Sequence, residues 1–229
     1  MPAISLVMRI IYDIFLWFVV FLSSAIAGAI IGSRFSRDHG KELVAGIVTQ
    51  IMFLFLSLVI ANFAGIENTI TYSINREVLI ISLYSFSTLL SISILMNYIN
   101  AYLVQGYNAI PVSSDMLRRS KVLVLFSLIV LAPLGEETLF RGLAEGYLII
   151  SREPAYVVIL LPALLFTLIH IQPLRRTKVL LVEVFLVGVL LSYLRTMTTS
   201  LIPAIIGHSA LNIGGLLVFS LIRQPINSR

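Results

Sequence analysis

The stretch VLVLFSLIVLAPLGEETLFRGLAEGYLI, residues 122–149, decides the fold. It exceeds the roughly 20 apolar residues that a helix needs to cross a bilayer core, and it lacks the sustained apolar/polar alternation of a membrane barrel strand. Inside it lie Glu136, Glu137, Arg141 and Glu145. Ionisable side chains are costly in hydrocarbon, so a chain that keeps such a group within a membrane segment is expected to use it.

Working outward, six further apolar runs appear, approximately Ile10 to Ile31, Leu43 to Ala64, Val78 to Val104, Ala155 to Ile171, Val179 to Leu194 and Leu201 to Ile222. Hydrophobic residues make up 59% of the 229 residues, charged ones 12%, and the mean hydropathy is +1.01. A soluble domain carries roughly 25% charged residues, so this composition is that of a membrane protein. The expected fold is all-α, a polytopic transmembrane helical bundle of about seven spanning helices with its active site in the membrane between the C-terminal helices. We expect a single integral-membrane domain over residues 1–229, with a motif-bearing core over 122–222. The first run is longer than the roughly 7 to 15 residues of a signal-peptide core and is read as a retained helix.

The net charge of +5 comes from basic residues in short clusters between apolar runs rather than on one amphipathic face, which argues against nucleic acid as a partner. The segments Arg34 to Glu42, Gln105 to Lys121, Gln172 to Lys178 and Arg223 to Arg229 hold eleven of the sixteen Lys and Arg residues. The opposite side holds only Arg9, Arg76, Arg152 and Arg195, and Arg141 lies in the membrane. The positive-inside rule then predicts a cell-membrane protein with its N-terminus outside and its C-terminus cytoplasmic. Cysteine is absent, which excludes disulfides, thiolate metal sites and cysteine nucleophiles.

Three polar clusters carry the chemistry: Glu136-Glu137-Thr138-Leu139-Phe140-Arg141, Phe166-Thr167-Leu168-Ile169-His170 and His208-Ser209-Ala210-Leu211-Asn212. On a helix Glu137 and Arg141 share a face in the favourable acid-first order, whereas Glu136 is rotated by about 100°. One carboxylate is therefore expected to be paired, with Glu145 continuing its ladder, and the other to be available as a general base or acid. The bland alternative is a structural polar network. His170 alone is weak evidence, and Phe166 one turn earlier is by itself ordinary packing. His208 and Asn212, four apart, offer two donors to one point in space, which suits an oxyanion; a structural pair bonding across helices is the alternative. Pro133 and Pro162 interrupt apolar runs, where a proline frees a backbone carbonyl and either opens space or only adjusts packing.

Taken together, the clusters resemble the motif set of the CPBP family: Glu-Glu-x-x-x-Arg, then Phe-x-x-x-His, then His-x-x-x-Asn on separate helices. That family includes the type II CAAX prenyl endopeptidases and relatives linked to bacteriocin processing and self-immunity. The resemblance spans about Glu136 to Asn212; the first three helices carry none. It implies an intramembrane endopeptidase in which Glu136 and His170 activate a water, His208 and Asn212 hold the tetrahedral oxyanion, and Glu137, Arg141 and Phe166 support the site. It is compatible with a metal-free glutamate-type protease and with a zinc metalloprotease in which Glu136, His170 and His208 hold the ion; the metal-free form is preferred. The implied partners are the lipid bilayer and a peptide or lipidated protein substrate, prenylated in the CAAX case. The competing readings are a proton- or cation-coupled transporter and a catalytically silent membrane scaffold or immunity factor; oligomeric state is left open. Counting 1.5 Å per residue places Glu136 and His208 at about 20 Å depth but His170 only some 8 Å from its basic loop, so the expected convergence of the three needs an explanation.

Overall fold

The computed structural model describes residues 5–35, 40–103, 114–174 and 178–222. Every run of regular structure among them is helical. Helices α1 (Leu6–Phe35), α2 (Gly40–Phe63) and α3 (Arg76–Leu103) precede a composite helix. Its pieces are α4 (Ser114–Phe126), a π-helical stretch (Ser127–Leu131), α5 (Ala132–Glu137), a second π-helical stretch (Thr138–Ala144) and α6 (Glu145–Ile150). Helices α7 (Ala155–Leu174), α8 (Lys178–Thr198) and α9 (Ile202–Ile222) complete the bundle. Six helices are long and apolar enough to cross a membrane; the apolar part of the seventh, Ala155–Ile171, is shorter. The basic segments of the topology argument fall largely outside the described residues.

The bundle is organised for lipid. Phe15, Phe55, Leu83, Tyr102, Leu186 and Leu221 are exposed, while Asp13, Ser57, Ser93, Asn100, Glu137, Arg141, Glu145 and Arg195 are buried. A hydrocarbon solvent satisfies no polar group, so these groups turn inward and helix contacts use small residues and hydrogen bonds between helices. The α3–α9 contact shows both devices. A Cβ on Gly207 would lie 2.2 Å from Ser85 Oγ, and one on Gly214 would lie 2.7 Å from Ser93 Cβ. The same serines donate across the contact, Ser85 Oγ to Pro203 O at 2.9 Å and Ser93 Oγ to Leu211 O at 2.7 Å. Helix α1 packs along α2, and α7 along α8. An aromatic chain, Trp17 to Phe140 (5.9 Å between centroids) and Phe140 to Phe166 edge-on (5.2 Å), ties α1 to the composite helix and α7.

The two π-helical stretches have identifiable causes. Ala132 N–H bonds to Ser127 O, the i to i−5 pattern. In that register the next carbonyl, Leu128 O, faces residue 133, a proline with no amide hydrogen. Asn212 Nδ2 supplies the missing donor at 2.8 Å, and Ser209 Oγ donates to the neighbouring Ile129 O at 2.7 Å. The second stretch is served from the α2–α3 connection, where Thr69 Oγ1 lies 3.0 Å from Gly142 O. Thr69 fits there because residue 146 is glycine: a Cβ on Gly146 would come within 2.2 Å of Thr69 Oγ1.

Among the described residues, cavities lie toward both ends of the bundle. One, of about 440 Å³, is walled by the ends of α2, α3, the composite helix, α7, α8 and α9 that adjoin the basic segments. The other, of about 590 Å³, lies by the α2–α3 and α6–α7 connections and is lined by Thr69, Glu153 and Arg195 among others. Its Glu153 is ion-paired with Arg9.

Candidate active site

All four residues expected to do chemistry, Glu136, His170, His208 and Asn212, line the 440 Å³ cavity, together with Phe166. They line one cavity although the depths counted along their helices differ. Helix α7 continues to Leu174 instead of ending near Ile171, and His170 stands four residues, roughly 6 Å, from that end.

Glu136 and Glu137 diverge as their one-residue offset on a helix requires. Glu137 is fully buried and points to Arg141, whose Nη1 lies 3.2 Å from both Oε1 and Oε2. Arg141 uses Nη2 on Gly188 O at 3.0 Å and lays its guanidinium 4.8 Å from the Phe166 ring centroid. The carbonyl is within reach because residue 188 lacks a side chain: a Cβ there would already press on Ala163 Cα at 3.1 Å. Arg141 is thus a clamp joining the composite helix, α7 and α8. The expected continuation of the ladder stops there, since neither carboxylate oxygen of the buried Glu145 makes a hydrogen bond among the described residues.

Glu136 turns the other way. Its Oε1 accepts from Gln50 Nε2 of α2 at 2.8 Å, and its Oε2 has no hydrogen-bond partner among the described residues. Helix α2 approaches this closely because residue 135 is glycine; a Cβ there would sit 2.6 Å from Gln50 O. Gln50 was not singled out by sequence, and the only signal for it was one amide within an apolar run.

The two histidines are oriented differently. His208 is nearly buried, with Nδ1 2.8 Å from Glu137 Oε1 and Nε2 3.8 Å from Glu136 Oε2, so it bridges the two carboxylates. His170 places Nδ1 2.7 Å from Phe166 O; a carbonyl can only accept, so Nδ1 carries the proton and Nε2 is the basic nitrogen. The Phe166 ring packs against both imidazoles, at 4.6 Å from His170 and 5.5 Å from His208. It stands in contact with both rings. Asn212 donates to Leu128 O as described, and its amide has a second N–H. Beside the site, Tyr72 and Thr138 share a 2.8 Å hydroxyl contact, and burial pushes the Tyr72 phenol above its ordinary value.

The fit of a metal can be judged from these positions. Among the described residues no three His, Asp or Glu side chains are grouped so as to hold an ion, and the Phe166 ring contacts both imidazoles of the suggested trio Glu136, His170 and His208. The donor set as arranged does not form a zinc site, and no step is derived through one.

No curated protein and no solved structure matches the chain. Residues 118–214, which contain all three polar clusters, match the family model described as type II CAAX prenyl endopeptidase Rce1-like, so the resemblance carried by those motifs is borne out over that segment.

Proposed function

We propose that the protein is an intramembrane endopeptidase that hydrolyses a peptide bond of a membrane-associated or lipidated peptide, with Glu136 as the base. The observation that carries this reading is the Glu136 carboxylate: one oxygen is held by Gln50, the other makes no hydrogen bond among the described residues and lies 3.8 Å from His208 Nε2, and the side chain lines a cavity shared with His170, His208 and Asn212. Glu136 takes a proton from a water that His170 Nε2 orients. The resulting hydroxide attacks the carbonyl carbon of the scissile amide, and negative charge develops on the carbonyl oxygen. A doubly protonated His208 donates from Nδ1 to Glu137 and from Nε2 to that oxygen, with the second Asn212 N–H as the other donor. With Glu136 carrying the water's proton, Glu137, Arg141, His208 and the oxyanion sum to no net charge, which limits the cost of holding them in a bilayer. The proton carried by Glu136 passes to the amide nitrogen, the C–N bond breaks, and an acid and an amine leave.

The test is to incubate wild-type protein and Glu136→Gln in lipid nanodiscs with lipidated and unlipidated peptides and to follow products by mass spectrometry. Cleavage by the wild type that falls at least a hundredfold in the variant is expected. Cleavage that persists in Glu136→Gln overturns the assignment of the base, and folded wild type that cleaves none of the peptides overturns the peptidase reading in favour of a relay or scaffold.

A further inference from the structure

Glu183 is the acid in the cavity wall that the mechanism above does not use. It lies on α8, lines the cavity, and is 4% exposed. Its Oε1 has no hydrogen-bond partner among the described residues. A carboxylate oxygen kept away from water without a partner is costly, and a cation or donors that reach it recover the cost. Among the described residues the lining offers no cation: with Glu136 and Glu183 it holds amides, hydroxyls, imidazoles and apolar side chains, but neither Lys nor Arg. A cation carried by the ligand would complete Glu183.

Its level in the bundle says which part of a ligand that is. Glu183 stands five residues after the start of α8, and His170 four residues before the end of the antiparallel α7, so both lie roughly 6 to 8 Å from the α7–α8 connection. Leu180 and Val184, neighbours of Glu183 on α8, are also in the wall and offer apolar surface to an aliphatic stem.

We propose that Glu183 is a recognition residue that takes a basic side chain, Lys or Arg, of the peptide substrate on the side of the scissile bond nearer the α7–α8 connection. The stem lies along Leu180 and Val184 and the charged head meets the carboxylate. This rests on the peptidase reading for the ligand being a peptide, but the recognition step needs no turnover.

The experiment measures binding and cleavage separately. Fluorescent peptides carrying one Arg at successive positions are compared with the same peptides carrying citrulline, the neutral isostere. Binding is read by anisotropy to Glu136→Gln protein in nanodiscs, with and without Glu183→Gln. At one register the Arg peptide is expected to bind roughly tenfold more tightly than its citrulline twin, and Glu183→Gln to bring the two level. Equal binding at every register overturns the proposal, and so does a preference that survives Glu183→Gln. If Glu183→Gln protein does not fold, the comparison on protein with Glu183 intact still decides, because absence of an Arg preference there is enough to reject it. Wild type that cleaves peptides without regard to the basic residue rejects this inference and keeps the peptidase; an Arg preference in binding with no cleavage by wild type does the reverse.

Discussion

Gln50 and Arg141 show what single side chains contribute to this site. Gln50 holds one oxygen of Glu136 and makes no other hydrogen bond through its side chain among the described residues, its own Oε1 being unpartnered. Gln50→Leu should lower kcat roughly 10- to 100-fold with little change in KM, because it loosens the base rather than the substrate. Steady-state kinetics check this, and a rise in KM at unchanged kcat would assign Gln50 to binding instead. Arg141 is fully buried and spends two nitrogens on two different elements. Lysine has one nitrogen and cannot serve both, so Arg141→Lys should destabilise the fold by about 3 kcal/mol, measured by reversible unfolding in mixed micelles. At this scale the sequence was legible where a spaced pair of opposite charge marks a contact, Glu137 with Arg141, whereas the hydrogen bonds of His208 and Asn212 go to different groups, Glu137 and Leu128 O. It was silent on Gln50, whose partner is 86 positions away.

Helices were legible from apolar runs because hydrocarbon demands length and little else. The run Val78 to Val104 became α3 at Arg76–Leu103, while α7 ran past the expected Ile171 to Leu174, because Gln172 and Pro173 end an apolar run without ending a helix. What no apolar run displays is hydrogen-bond register, so the π-helical stretches were invisible except for Pro133. In the α-helical register an amide at position 133 would donate to Ile129 O, the carbonyl that Ser209 Oγ reaches, so the serine stands in for the hydrogen that Pro133 lacks. Ser209→Ala should therefore cost about 1 to 2 kcal/mol in the wild type and much less when Pro133→Ala restores an amide hydrogen. A double-mutant cycle of unfolding free energies measures the coupling, and additive losses would show that the serine serves something else. Pro133→Ala alone should not lower stability, since an interior proline costs a helix about 3 kcal/mol, yet it should slow cleavage at least tenfold by shifting Glu136.

For the whole molecule the decisive asymmetry is the distribution of basic residues. The cavity with Glu136 lies at the ends of helices that adjoin the segments rich in Lys and Arg, so the positive-inside rule predicts that it opens toward the cytoplasm. The absence of cysteine makes this testable without background. A membrane-impermeant maleimide applied to intact cells should label Asn68→Cys and spare Lys41→Cys, and the reverse pattern would invert the orientation. The amino acid pattern revealed the bundle and its expected sidedness, but not that two hollows face each other through it. Along α8 the walls of those hollows end at Val184 and begin again at Arg195, eleven residues or roughly 16 Å apart, against a hydrocarbon core of about 30 Å. Were water to fill both, a membrane voltage would drop across this septum rather than across the full bilayer, at about 2.3 kcal/mol per unit charge for each 100 mV. The septum carries Glu137 and Arg141 as a locked pair of opposite sign, so its dielectric seal holds no net charge on that pair for the field to pull.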